Sequence, residues 1–208
     1  ERKRLSTQLR EARDLLRNPV ILGLVVVAAV RGLGLNALFH WTPFYLEEEL
    51  LMGHLRTGVY FALLTGSGIL AAPVFGVLSD RFGRKAVLLP GLVGATAFSL
   101  LVVAAGDGIL LAAALAGIGL FSFSLQQIVL AAVLDVSGKG TEATATGLIF
   151  GLNGVAGAAT PFFATVIIDQ FGGYGATFYY SGALTAVAAL IVFLLPWSSG
   201  KAVEANPT

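Results

Sequence analysis

Arg31 stands where an arginine is costly. It lies about eleven residues into an apolar run that begins near residue 20, roughly 16 Å deep if the run is helical. A guanidinium at that depth of a bilayer must be paired or face water, which makes it a candidate functional group. Two readings stand side by side. Arg31 binds an anionic group of a solute in a central cavity, or it pairs with a carboxylate in a missing half of the protein or snorkels toward the interface. On a helix Leu35, Leu38, Thr42 and Tyr45 share its face, whereas Asn36 and His40 lie on another. Other apolar runs are interrupted by Gln126 and Gln127, by Asn153, and by Tyr179 and Tyr180. Arg31, Asn36, Gln126, Gln127, Asn153 and Tyr179 are therefore the candidate substrate-binding residues, although each uncharged one serves equally well to hydrogen-bond a neighbouring helix. Phe121, Phe123, Phe162 and Phe163 read as packing or lipid contacts rather than a binding cage. No Asp or Glu falls in the middle of a run: Asp80, Asp135 and Asp169 are at run ends. His40 is the local protonatable group, or else a satisfied interfacial histidine beside Trp41.

The elements that must position these residues follow from composition. Of 208 residues 56% are hydrophobic and 12% charged, about half the charge of a soluble domain. That excludes a soluble globular protein and a disordered chain, and zero Cys excludes a disulfide scaffold and a Cys-ligated metal site. Apolar stretches long enough to cross a bilayer occur at about 20–46, 55–79, 86–105, 109–134, 144–168 and 174–196. The expected fold is an all-α membrane protein of six transmembrane helices, the bundle covering 19–197. Residues 1–18 place Leu5, Leu9, Ala12, Leu15 and Leu16 opposite Arg10, Arg13, Asp14 and Arg17. This predicts a cytoplasmic amphipathic helix, or an ordinary juxtamembrane linker. Asn18-Pro19 supplies a cap and a first-turn proline, and the small polar tail 198–208 is expected to be cytoplasmic and disordered. Arg2, Lys3, Arg4, Arg10, Arg13, Arg17, Arg81, Arg84, Lys85, Lys139 and Lys201 all fall on one side of such a bundle, while Arg56 faces the other beside Glu47, Glu48 and Glu49. The positive-inside rule puts both termini in the cytoplasm, in a plasma (inner) membrane. The chain starts at Glu1 rather than Met, as a piece of a longer protein would.

Asp80-Arg81-Phe82-Gly83 recurs as Asp169-Gln170-Phe171-Gly172, 89 residues later, with Pro73 and Pro161 at similar distances before them. The same shift carries spans two and three onto five and six. The chain thus reads as two three-helix units, the second inverted, a pattern of secondary transporters. The first copy continues into a basic loop, Gly76-Val77-Leu78-Ser79-Asp80-Arg81-Phe82-Gly83-Arg84-Lys85. Gly76 would let a neighbouring helix approach closely and Gly83 would permit the turn. Arg84 and Lys85 would sit among anionic headgroups, and Asp80 needs a partner, with Arg81, Arg84 or a helix N-terminus in reach. The loop resembles the G-x-L-x-D-R-x-G-R-K signature of the major facilitator superfamily at every position. The resemblance implies the C-terminal six-helix half of a twelve-helix carrier preceded by part of its central connector. It also implies a cytoplasmic gate formed by Gly76, Asp80, Arg81, Gly83, Arg84 and Lys85. A merely topogenic basic loop is the alternative. Gly147, Gly151, Gly154, Gly157 and Pro161 loosely resemble the glycine-proline signature of drug:proton antiporters, or serve close packing.

These features imply secondary active transport of a small solute, an anion if Arg31 binds it, by alternating access. Drug:proton antiport is the alternative, with the coupling carboxylate then on another half. A channel, a scaffold or an intramembrane serine protease is remote. The protease would need a serine near a histidine, yet the only histidines are His40 and His54, and Gly66-Ser67-Gly68 is a poor nucleophile setting. No catalytic residue, metal, cofactor or nucleic acid is expected. The expected partners are the solute, the bilayer, and a missing N-terminal half or a second copy of the chain.

Overall fold

The computed structural model describes residues 5–138 and 140–197. Arg2, Lys3, Arg4, Lys139, Lys201 and the segment 198–208 lie outside the described residues. The chain is all-helical: α1 (Leu5–Leu16), α2 (Pro19–Phe44), α3 (His54–Phe82), α4 (Arg84–Ala105), α5 (Ile109–Val136), α6 (Glu142–Phe171) and α7 (Ala176–Leu194). Helix α2 runs on into a π-helical turn, Tyr45–Glu49, just after Pro43, whose missing N–H weakens the helical ladder there. Six of the helices are long and apolar enough to cross a membrane. At the head of α2 the Asn18 side chain accepts from the Val20 N–H at 2.9 Å and Pro19 takes the first helical position.

Pairs of residues in contact reveal how the helices run. Between α3 and α5 the sequence separation stays near constant: Tyr60 to Gly108 is 48, Ser67 to Ala116 is 49, and Arg84 to Asp135, just past the helix ends, is 51. A constant separation means parallel helices. Helices α2 and α6 behave likewise, with Gly32 against Asn153 and Asn36 against Gly157. Between α2 and α7 the pairing reverses, Gly23 meeting Leu195 and Gly34 meeting Ser181. Two inverted units result, α2–α4 and α5–α7. Each unit's first helix packs against the second and third helices of the other. The repeat ends match too. Gly83 closes α3 at φ 96° and Gly172 closes α6 at φ 76°, conformations that cost glycine least.

One end of the bundle gathers the start of α2, Arg84, Lys85, Asp135 and the end of α7; it is called the basic end here. The other, acidic end holds Glu47, Glu48, Glu49, Asp107 and Tyr174. One core cluster fills the basic half around Leu24, Leu88, Leu125 and Val192, and a second fills the acidic half around Leu46, Leu115, Ile118 and Phe178. Leu15 joins the first, and Glu11 of α1 accepts from the Thr144 hydroxyl of α6 at 2.7 Å. With Arg10, Arg13 and Arg17 exposed, the end of α1 lies with Leu15 and Leu16 on the bundle. Burial is uneven. Half of the most apolar stretch of α2 and of α5 is buried, but only 11% of that of α3 and 17% of that of α6.

The loop glycine Gly76 departs from expectation. A Cβ there would meet nothing within 4 Å, and the same holds for Gly147, Gly151 and Gly154. Within this chain the close approach is made instead by Gly68 and Gly119, where α3 and α5 touch backbone to backbone. The Gly76 side of α3 and the glycine stripe of α6, Gly157 apart, lie on faces that no other helix of the chain covers.

Candidate functional site

Arg31 is 4% exposed. It projects from α2 toward α5, where its Nη1 donates to Gln126 Oε1 at 3.2 Å and its Nη2 to the Ser122 carbonyl at 2.8 Å. Both acceptors are neutral, and they occupy two of the five guanidinium donors. Among the described residues no carboxylate lies within the 4.0 Å of an ion pair. The result is a desolvated cation held by hydrogen bonds with its charge uncompensated. The carboxylate partner considered from the sequence would belong to a missing half, so it would have to come from outside the described residues.

Asn36 and Asn153 form a separate polar seam between α2 and α6. Asn36 Nδ2 donates to the Gly32 carbonyl at 2.8 Å, and its Oδ1 lies beside Gly157. Asn153 Oδ1 is pressed against Gly32 and is buried without a hydrogen-bond partner. An unpaired buried carbonyl oxygen is costly. The Thr160 hydroxyl donates to the Ala156 carbonyl within α6 at 2.8 Å and reaches the Leu33 carbonyl of α2 at 3.4 Å. Arg31 with Gln126 and Asn36 with Asn153 thus occupy neighbouring faces of the same stretch of α2.

Two candidates lie apart. Gln127 follows Gln126 by one residue, about 100° around the helix, and is exposed. Tyr179 is 54% exposed in the first turn of α7, next to Gly175, which Tyr45 and Glu49 contact at the acidic end. Tyr45 is fourteen residues beyond Arg31 on α2, roughly 20 Å along the axis. Neither joins the Arg31 cluster. His40 is exposed on α2. Phe121 and Phe123 pack edge-on against Phe75 and Phe39, whereas Phe162 and Phe163 point outward from α6. The Ser67 hydroxyl donates to the Ala116 carbonyl at 2.8 Å, so it braces α3 on α5.

At the basic end Arg84 is the hub. It pairs with Asp80 across the α3–α4 corner, donates through Nε to Asp135 Oδ2 at 3.0 Å, and donates through Nη1 to Ser79 Oγ at 2.7 Å. Its side chain is 21% exposed, against 65% for Asp80 and 55% for Asp135. The hub ties the end of α3, the start of α4 and the end of α5 into one knot. Arg81 is not the partner of Asp80; its guanidinium lies over the Phe82 ring at 5.5 Å. Lys85 has a specific role as well. Its Nζ donates to the carbonyls of Phe193 at 3.2 Å and Leu195 at 2.7 Å, capping the orphan carbonyls that end α7. Neither the Asp135 contact nor the Lys85 cap was foreseeable from the loop string, because both partners come from distant helices.

The acidic end has its own clasp. Glu47 meets His54 Nδ1 at 3.0 Å, Glu48 accepts from the Tyr174 hydroxyl at 2.9 Å, and both Glu49 oxygens accept from the Gly175 N–H, at 3.1 and 3.3 Å. A carboxylate at the start of α7 is favoured by the helix dipole. Arg56 completes this end by donating to both oxygens of Asp107, at 2.9 and 3.1 Å.

Six apolar helices in two interlocked, inverted three-helix units, with an uncompensated arginine at mid-depth, define a membrane-embedded bundle of the kind from which secondary carriers are built. The sequence profile of the Major Facilitator Superfamily matches residues 57–207, and the chain belongs to that family of membrane transporters. It is 32% identical over 160 residues to a probable sulfoacetate transporter, SauU, of Cupriavidus necator, covering 72% of this chain and 37% of that protein. It is 24% identical to a putative metabolite transport protein of Haemophilus influenzae, over 92% of this chain and 47% of the other. A shorter match, 42% identical over 79 residues, is to the class C tetracycline resistance protein of Escherichia coli, 37% of this chain and 19% of that one. In fold it resembles the crystal structure of a bacterial homologue of the iron transporter ferroportin, with a TM-score of 0.68 at 18% identity, over 87% of this chain and 46% of that one. The chain thus spans less than half the length of these relatives.

Proposed function

We propose that the chain is the C-terminal six-helix half of a secondary carrier that moves a small anion by alternating access. The carrying observation is Arg31, a buried cation whose partners are both neutral. An anionic solute would supply the missing charge, with Gln126 as an adjacent neutral donor and acceptor. Gln126 holds Arg31 by the longer of its two bonds, so it is the contact a solute would displace. The relative in Cupriavidus necator, named as a probable sulfoacetate transporter, is consistent with an anionic cargo. A second six-helix unit is proposed to cover α3 and α6, the least buried spans, and their open glycines. The excess of basic residues at one end supports the orientation with both termini in the cytoplasm of a plasma (inner) membrane. On the basic side Asp80, Arg81, Gly83, Arg84 and Lys85, with Gly76 toward the second unit, would form the gate that the loop signature implies.

The test is counterflow of small organic and inorganic anions in proteoliposomes holding the complete carrier. Saturable exchange that Arg31→Gln abolishes supports the proposal. Exchange untouched by that substitution refutes it. The tetracycline-resistance relative favours a second reading, export of a drug. It predicts that apolar drugs are transported and that Arg31→Gln leaves their flux unchanged.

A further inference from the structure

Two grooves flank the start of α4 at the basic end. One, of about 370 Å3, lies between α4 and the chain after α7 and is lined by Lys85, Ala86, Leu89, Pro90 and Trp197. The other, of about 380 Å3, lies on the α3 side and is lined by Phe75, Leu78, Phe82 and Phe121; it shares Ala86 and Pro90 with the first. The shared residues form a low ridge, because neither a methyl group nor a pyrrolidine ring reaches far from the helix. Both are exposed.

We propose that this pair of grooves is a binding site for one anionic diacyl phospholipid, with an acyl chain on each side of the Ala86–Pro90 ridge and the phosphate at the basic mouth. The floors are apolar, so a polar solute would gain nothing there. The mouth is cationic. Asp80 and Asp135 are both engaged by Arg84, which leaves Arg81 and Lys85 as the cations available to an outside anion. Lys85 spends two of its three N–H donors on the end of α7 and retains one. Arg81 is exposed beside the Phe82 wall of the second groove. Trp197 lines the first groove together with Lys85, and an indole beside a cation suits the boundary between headgroups and chains. Apolar floors below a cationic, indole-bearing rim match an amphiphile with a negative head. A zwitterionic phosphocholine would bring its own cation to the same rim.

The test is lipid retention by the intact membrane protein, purified and exposed to mixed micelles of dioleoylphosphatidylglycerol or dioleoylphosphatidylcholine, then read by native mass spectrometry. Phosphatidylglycerol should be retained about fivefold over phosphatidylcholine, the factor given by one favourable basic contact at a membrane surface. Ala86→Phe, which fills both grooves and leaves the Lys85 cap alone, should abolish the excess, and Lys85→Gln should reduce it. If Ala86→Phe lowers the melting temperature, Trp197→Ala gives the same reading without filling a groove. Equal retention of the two lipids overturns the proposal. So does an excess that survives both groove variants, which marks lipid held by surface charge alone.

Discussion

Replacing Arg31 by Gln separates a functional charge from a structural one, because the two make opposite demands on stability. In the fold the guanidinium makes two hydrogen bonds, at 2.8 and 3.2 Å, to neutral acceptors. Bonds from a charged donor are worth about 1.5–3 kcal/mol each, so roughly 3–6 kcal/mol is lost with the side chain. Against this stands the desolvation of a cation with no counter-charge, itself several kcal/mol. The two oppose each other, so Arg31→Gln should lower the unfolding free energy by less than the roughly 3–6 kcal/mol of the hydrogen bonds alone. Anion binding has no such offset. Removing one member of a desolvated charge pair costs about 2–5 kcal/mol, a loss of affinity of roughly 30-fold to several thousand-fold. Arg31→Lys keeps the charge but not the planar fork and should fall between. The assays are thermal melting of the purified carrier and anion counterflow at several concentrations. A variant that melts far below the parent yet transports with unchanged affinity would refute the reasoning, because Arg31 would then be a structural brace.

Arg84→Ala removes the hub between Asp80, Asp135 and Ser79. Since both carboxylates are more than half exposed and such pairs contribute about 0.2–1 kcal/mol each, melting should shift by less than about 2 kcal/mol. Turnover should fall steeply if the hub is part of a gate, and unaltered turnover would leave the loop a purely topogenic role. Gly83→Ala forces a Cβ onto φ 96° and ψ 146°, a region essentially reserved for glycine, and should cost about 1–3 kcal/mol of stability. Gly76→Ala should leave the melting of this chain unchanged, since nothing lies within 4 Å; transport lost in the complete carrier would locate the second unit at that glycine. Glu49→Leu strips the carboxylate from the start of α7 and should destabilise by about 1 kcal/mol, more than Glu49→Gln, which keeps an acceptor oxygen. Equal stability of all three forms would make the clasp at the acidic end incidental.

The helices were legible in the sequence because each is a long apolar run broken by charge or glycine, and a bilayer tolerates little else. The inverted repeat was legible because Asp80 to Gly83 and Asp169 to Gly172 both end a helix on a glycine of positive φ. Arg31 stood out because a charge in an apolar run has no local explanation. Its partners did not, since Gln126 and Ser122 are more than ninety residues away and nothing in a glutamine says which helix it faces. Asp80 shows the same limit. Local spacing offered Arg81 and Arg84 alike, and the break at Gly83 folds Arg84 at the start of α4 back onto Asp80, while α5 delivered Asp135 from outside the loop. Gly76 has no neighbour within 4 Å, because a small residue permits a close approach without saying whether the neighbour belongs to the same chain.

The pairing of helices bears on how these six helices could work. Helix α2 is packed by α6 and α7, and α5 by α3 and α4, so each three-helix unit holds the first helix of the other. Neither can slide without breaking the tight Gly68–Gly119 crossing or the seam of Gly32 with Asn153. The six helices are thus built to move as one body, with the Arg84 knot at one end and the Glu49 clasp at the other limiting internal shear. If the body is rigid, Arg31 is not uncovered by motion inside it. Its short bond to the Ser122 main chain stays, and the longer bond to the Gln126 side chain is the one that can be exchanged. On the proposed reading an anion therefore enters by displacing one amide while the guanidinium remains anchored. Only the unfilled faces of α3 and α6 are left to rock against a second body.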